Sequence, residues 1–386
     1  MSIRRIGSLN INGQQSFNSI FLARSAVTLG PNIDPVWSTS IGNVGTIYDV
    51  ERSVKTFTLS ASDLNLNTLT YSITGGSLPP NMSLNTSSGL ISGNPTSVIS
   101  DTTYNFTAEV TDGSSIISRS FNIIVKAPIK TTFSYTGGDQ SLTVPSDLTR
   151  FNAKVWGAGG GYIGGAGGYS TGNVLTNAET SYRIVVGGGG LGRGNSQGTG
   201  GANYGNGGLS GNQGFGGGGG GVTGIFTNGS TAMTFNSTGQ ARSLILAGGG
   251  GGGSWDQGHR GGDGGGTNGG NGTQGGGGTQ TSGGGGGFEN GYQLGGGRAG
   301  GGDEGGGGGG GSGYWGAGGG NGNSGYSGGG GSGYIHPTRT VNASMSNGSG
   351  GTPPSTGDAD YSSGIGVGPS GGTGSNGGNG RIVINY

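Results

Sequence analysis

The side chains able to do chemistry are few. His259 and His336 are the two histidines and cysteine is absent, which excludes disulfides, thiolate metal sites and cysteine nucleophiles. The stretch SWDQGHRGGD brings Asp256, His259 and Asp263 close together. An imidazole and two carboxylates can hold a cation, but between glycine runs they read as solvated loop polars. Asp303 and Glu304 are adjacent, whereas paired-carboxylate hydrolysis needs groups on opposite sides of the scissile bond. The GGGG runs are not followed by Gly-Lys-Ser/Thr, so they are not phosphate loops. Arg193, Arg260 and Arg298 stand beside glycine but are too few to neutralise an RNA backbone. The expectation is no catalytic residue, no cofactor and no enzyme. A formal net charge of +0 favours neither nucleic acid nor an anionic membrane as partner.

What remains is recognition chemistry. Trp255, Phe288, Tyr292, Tyr314, Trp315, Tyr326 and Tyr334 punctuate the glycine. Aromatics are strong binding anchors, and they can equally cap the ends of a packed glycine array. The longest non-glycine excursion, 334–363, supplies Tyr334, His336, Arg339, Asp358, Asp360 and Tyr361. These are receptor-binding candidates, because loops on a rigid scaffold usually carry recognition. The competing reading makes the excursion a connection back to the closing strand. Rival loops are 254–260, with Trp255, and 288–294, with Tyr292.

The elements that must position these residues follow from composition. Glycine makes up 107 of 386 residues, hydrophobic residues are 28% and charged residues 9%. An enzyme barrel or doubly wound sheet needs more apolar bulk, and collagen needs a strict glycine period with abundant proline. Ninety-seven of the glycines follow residue 130 and all four lysines precede residue 155. A module boundary is expected near 130. Residues 1–34 are polar with scattered apolar residues (Ile20, Phe21, Leu22, Val27, Leu29). They read as an attachment arm that orders on a partner, or as a frayed terminus. No apolar segment follows Arg4-Arg5 as in a secretory signal, and no run is long enough to span a membrane. Synthesis in a cytosol is expected.

Residues 35–128 alternate as half-buried strands do: Phe57, Leu59 and Ala61; Tyr104, Phe106, Ala108 and Val110; Phe121, Ile123 and Val125. Turn clusters separate them, and about seven short strands suggest an immunoglobulin-like sandwich. LTYSITGGSLPPNMSLNTSSGLISGNPT, followed by YNFTAEVTDG and FNIIV, resembles the Ig-type, dystroglycan-like cadherin repeats. The resemblance implies a spacer or adhesive module. Some cadherin-like relatives bind calcium, and Asp63 and Asp112 stand where those carry acidic residues. The fuller multi-Asp motifs are missing, which leaves these two as weak metal candidates beside a purely structural role.

Residues 131–386 begin and end as β-structure: Phe133 and Tyr135; Leu142 and Val144; Phe151, Ala153 and Val155; Tyr182, Ile184 and Val186; Met233 and Phe235; Leu244–Leu246; and the closing RIVINY. Glycine blocks lie between them. One reading is flexible linkers. The other is ordered polyglycine II, threefold helices rising about 3.1 Å per residue. Unlike proline, glycine keeps its N–H, so such helices can bond laterally in three directions. Interior helices must then be all glycine, and edge helices can carry a side chain at every third residue. Asn268, Asn271 and Gln274 keep that phase, as do Arg260 with Asp263, Asn321 with Ser324 and Ser327, and Asn323 with Tyr326 and Ser332. A closing strand also ties the ends of the insertion together, which favours order.

TTFSYTGGDQSLTVPSDLTRFNAKVWGAGGG, YSTGNVLTNAETSYRIVVGGGG, ARSLILAGGGGGGSW and GGNGRIVINY are together similar to the glycine-rich domain of the anaplastic lymphoma kinase family, which recurs in bacterial and phage proteins. The resemblance implies a small sandwich of tumour-necrosis-factor-like topology from which a polyglycine II bundle emerges. The animal receptors' cysteines are missing, and no kinase role is implied. Phage tail-fibre adhesins share the stacked-helix architecture.

The fold expected is therefore all-β: an attachment arm (1–34), an Ig-like domain (35–128) and a glycine-rich domain (131–386). The function expected is that of a phage virion protein, a tail or surface fibre adhesin that contacts a host protein or glycan. It would join other virion proteins through residues 1–34 and form a homo-oligomer, with no nucleic-acid or membrane partner. Rival readings are a capsid decoration or spacer protein, a bacterial surface adhesin and, more remotely, an ice-binding protein.

Overall fold

The computed structural model describes residues 31–192, 208, 216–229, 236–255, 258–299, 301–302, 305–322, 325–371 and 375–386. Most of the expected arm, the strand at Met233 and Phe235, Asp256, Asp303, Glu304, Arg193, Asn323 and Ser324 lie outside the described residues.

The chain is almost wholly β. In the first module a four-stranded sheet runs in the order Gly42–Ile47, Ile116–Val125, Thr102–Thr111, Thr70–Gly76. Its first pair is parallel and the others antiparallel. A three-stranded sheet of Phe57–Thr58, Leu90–Gly93 and Met82–Leu84 faces it. Alternation explains the layers, since every second residue of a strand points to the same face. Leu59, Phe106, Ala108, Val110, Phe121, Ile123 and Val125 are buried in one cluster with Trp37 and Tyr71. Trp37 packs edge-on against Phe121 at 5.3 Å between centroids, and its indole N–H donates to the Ile117 carbonyl at 3.1 Å.

The second module is a sandwich of two five-stranded sheets. One runs Lys130–Ser134, Arg381–Asn385, Arg150–Trp156, Tyr169–Leu175, Thr340–Ser346; the other runs Gln140–Thr143, Ser181–Val185, Thr223–Thr227, Ser243–Ala247, Tyr334–Ile335. The closing strand sits between Lys130–Ser134 and Arg150–Trp156, pairing Phe133 with Ile382 on one side and Val155 with Ile382 on the other. The segment between 156 and 381 is thus a closed insertion. The core between the sheets holds Phe151, Val155, Tyr182, Ile184, Ile245, Ile382 and Ile384.

The glycine blocks form the lattice that the composition predicts. The segment Gly248–Ser254 donates N–H bonds to three neighbours in a three-residue phase. Gly249 and Gly252 donate to Ser312 and Gly309, Gly250 and Gly253 to Ala158 and Gly161, and Gly251 to Gly262. Its carbonyls accept from three other segments: from Gly331 and Gly328, from Gly220 and Gly217, and from Gly168 and Gly165. Six neighbours around one threefold helix define polyglycine II. The segments 308–312 and 328–333 are surrounded in the same way. There is no room for a side chain: a Cβ on Gly252 would lie 1.9 Å from the Gly217 carbonyl oxygen, and one on Gly250 2.1 Å from that of Gly165.

At the lattice edge, carboxamides stand in for the missing neighbour. Asn271 accepts from Gly277 N–H, Gln274 from Asn321 N–H, Asn290 from Gly286 N–H, Asn347 from Gly266 N–H, Asn376 from Gly192 N–H and Asn379 from Gly189 N–H, at 2.7–3.1 Å. The phased Asn268, Asn271 and Gln274 are exposed, as an edge helix requires. Ser327 and Ser332, in contrast, are buried. Ser332 fits inside because its hydroxyl donates to the Thr279 carbonyl at 2.7 Å.

The two modules are locked end to end. Glu51 is fully buried and accepts from Thr149 N–H at 2.6 Å and Thr149 Oγ1 at 2.5 Å, with Lys55 at 3.3 Å. Tyr48 joins the second module's core, packs on Tyr386 and donates to Asp147 at 2.8 Å. Burial first, then that bond, pushes its hydroxyl pKa well up. The opposite pole of the first module, where strand Ile116–Val125 begins, receives residues 31–36.

Candidate functional site

The excursion 334–363 is not one loop. Tyr334–Ile335 is an edge strand of one sheet and Thr340–Ser346 an edge strand of the other. The Tyr334 ring stacks on Tyr314 at 3.9 Å and 9°, and burial pushes its hydroxyl up to about 12. His336 Nδ1 accepts from Thr338 N–H and Arg339 N–H. Burial, then the nearby Arg339, lowers its pKa, in keeping with an unprotonated Nδ1. The Arg339 guanidinium donates to the carbonyls of Leu175 and Thr176 and pairs with Glu179. These three side chains are engaged within the fold.

Asp358, Asp360 and Tyr361 lie elsewhere, on the outer face of the sheet that holds the closing strand. Lys154 donates to Asp358 and to Asp360, each at 2.8 Å, and Lys130 pairs with Asp360. Those two lysines hold the Asp360 carboxyl below its ordinary range. Tyr361 covers Trp156 at 6.1 Å. The lysine–aspartate cluster pins segment 353–365 over Trp156, Tyr169 and Val383. The sequence-derived candidates therefore divide into separate groups, and each group has an internal partner.

Loop 288–294 differs. Phe288 is 60% and Tyr292 42% exposed, yet the backbone beneath them belongs to the lattice. Gly319 N–H donates to the Glu289 carbonyl, Gly291 N–H to Gly284 and Gly316 N–H to Tyr292. The Tyr292 ring lies over Gly295, where a Cβ would meet it at 2.1 Å. Burial, then Glu289, raises its hydroxyl pKa. Leu294 closes the loop with φ of 60°, fully buried beside Tyr314 and Tyr334. A bulky residue held in the left-handed region marks a backbone fixed by its surroundings. Trp255, 36% exposed, stands on another glycine segment. In the sequence Phe288 is one aromatic among several. Its prominence depends on which helix forms the lattice edge, and composition does not reveal that.

Asp63 is buried, and its Oδ1 accepts from Asn67 N–H at 2.8 Å while Oδ2 has no partner among the described residues. Asp112 accepts from the N–H groups of Ser114 and Ser115 and from Asn32. The Ser115 bond leads in lowering its pKa. Asp112 therefore serves as a turn acceptor. Among the described residues no group of three or more His, Cys, Asp or Glu side chains could hold a metal ion, and no helix is long and apolar enough to cross a membrane. Around the same pole Ile33, Val36, Leu64, Leu66 and Ile116 are exposed. Asn32 and Ile33 are tied there by Asn32 to Asp112 and Ser115 and by Ile33 N–H to Asn65.

Residues 38–136 match the family model described as Putative Ig domain, in keeping with the two facing sheets of the first module. Similar solved structures include human protocadherin-24 EC1-2 at 19% identity, covering 31% of this chain and 59% of that one, with TM-score 0.21. Drosophila N-cadherin EC1-4 is similar at 12% identity over 31% of each chain, with TM-score 0.22. The endo-fucoidan hydrolase MfFcnA4 from glycoside hydrolase family 107 is similar at 13% identity over 39% of this chain and 28% of that one, with TM-score 0.20. The chain thus spans less than two thirds of each of these structures. No curated protein sequence matches the chain.

Proposed function

We propose that the chain is a non-enzymatic appendage protein of a phage virion, attached through its N-terminal end and contacting the host surface through the glycine-rich module. The resemblance of 131–386 to phage and bacterial glycine-rich domains motivates the reading. The observation that carries it is loop 288–294: two exposed aromatic side chains on a backbone already fixed by lateral hydrogen bonds. Such a loop has little conformational entropy left to lose on binding, and aromatics make effective anchors. The exposed apolar pole around Leu64 and Leu66, to which Asn32 and Ile33 are tied, supports attachment through the N-terminal end.

Adsorption of assembled particles to host cells tests this. Phe288→Ala with Tyr292→Ala is expected to reduce adsorption about tenfold or more, since anchor truncations cost upwards of about 2 kcal/mol, without altering particle assembly. Deletion of residues 1–30 is expected to abolish incorporation. Unchanged adsorption by the double variant, with incorporation still dependent on 1–30, would favour a decoration or spacer protein.

A further inference from the structure

A cavity of about 340 Å³ opens where the end of strand Lys130–Ser134 meets the lattice edge, lined by Tyr135, Leu191, Asn376, Asn379 and intervening glycine backbone. Tyr135 is half-buried against the sandwich core; Leu191 is 40% exposed. Asn376 and Asn379 are exposed and one threefold turn apart, about 9 Å along the helix. Their Oδ1 atoms are committed, accepting from Gly192 and Gly189 N–H at 2.7 and 2.8 Å. A carboxamide that gives its oxygen to the backbone turns its nitrogen away from it. Among the described residues neither Nδ2 has a partner. The capping role therefore accounts for the two oxygens and leaves the NH₂ groups of two cavity-lining side chains as donors.

We propose that this cavity is a binding site for a neutral saccharide. The described lining residues carry no charge and offer amide, phenol and aliphatic groups, which suits a neutral ligand. Tyrosine and leucine offer apolar surface to the C–H face of a pyranose ring, and the pinned amides offer donors to its hydroxyl or ring oxygens. Glycine walls let a flat ligand approach the backbone closely. The inference rests on the adhesion reading, for which it names the ligand class, but it concerns a site separate from loop 288–294.

The test uses the full chain with maltohexaose, chitohexaose and a neutral galactan hexamer as probes and an acidic oligosaccharide as control, binding being followed by calorimetry. The decisive variant is Asn376→Asp with Asn379→Asp. A carboxylate still accepts from Gly192 and Gly189, so the cap persists, which amide exchange at those two glycines checks, while both donors are lost. Leu191→Arg is the second variant, at a site exposed enough to tolerate it. The expected result is binding of at least one neutral probe, weakened about tenfold or more by either variant, roughly the loss of one or two ligand hydrogen bonds. No binding of neutral probes, binding of the acidic control alone, or affinity unchanged in both variants would overturn the proposal. Host adsorption measured in parallel separates the two ideas: adsorption without neutral-saccharide binding overturns the cavity and leaves the adhesion reading standing.

Discussion

The interior of the Ig-like module is made of side chains, whereas that of the glycine lattice is made of backbone. Leu59, Ile91, Phe106 and Ile123 are buried in the first, where hydrophobic transfer and close packing do the stabilising. Around Gly248–Ser254 there is almost nothing apolar to transfer. Each amide from Gly249 to Gly253 trades a bond to water for a lateral bond to a neighbouring segment, at a net gain of about 0.5–1.5 kcal/mol apiece. That gain must offset glycine's large ordering entropy. Only density of bonding can do so, and a helix with six neighbours uses every donor and acceptor it has. A side-chain core tolerates a change of shape by local repacking. A backbone lattice has no rotamers with which to adjust.

The largest effect should come from Gly252→Ala. A single methyl would sit 1.9 Å from the Gly217 oxygen, which is backbone and cannot rotate away. The cost should exceed the about 1–3 kcal/mol of ordinary overpacking, and limited proteolysis should then cut the 216–333 region. Leu59→Ala in the Ig-like core should cost about 2–5 kcal/mol, read as a fall in the melting temperature of the first module with the lattice amides still protected from exchange. If Gly252→Ala proved milder than Leu59→Ala, the contrast between the modules would fail.

Acid should act more weakly, and on one spot. Lys130 and Lys154 hold the Asp360 carboxyl low, so this clamp is at full strength above the ordinary carboxylate pKa of about 3.9 and is lost as pH falls through the lower folded value. The expected loss is under about 1 kcal/mol for a partly exposed cluster. It should appear as faster exchange of the Tyr361 and Ile365 amides at low pH and be abolished by Asp360→Asn. The smallest effect is expected from Gly285→Ala. A Cβ there meets nothing within 4 Å, so stability should stay level or rise by about 0.5 kcal/mol through the unfolded chain. The same substitution at two lattice positions would then differ in sign.

Much of this was legible. Alternation at Tyr104–Val110 and Phe121–Val125 identifies strands because one face is buried and the other wet. The closing RIVINY announces a sheet and hence a closed insertion. The three-residue phase of Asn268, Asn271 and Gln274 marks an edge. Strand Thr223–Thr227 was not legible, because Gly224 and two threonines leave only Ile225 and Phe226 to signal it. Nor was the assignment of Tyr334 and Thr340–Ser346 to the sandwich, which is decided by pairing with residues far away in sequence. The junction at Glu51 was hidden for a related reason: a carboxylate is expected in water until its partner at Thr149 is known.

A threefold glycine lattice has no natural size. Any unfilled edge is a template on which another segment, from the same chain or a different one, can deposit, as in a crystal of a synthetic polyamide. The row of carboxamide oxygens at Asn271, Gln274, Asn290, Asn347, Asn376 and Asn379 acts as a growth inhibitor adsorbed on that crystal. Each occupies the donor that the next layer would need and puts a bulky polar group where that layer would lie. The asparagines and the glutamine at the lattice edge thus occupy donors to which a further threefold segment would have to bond.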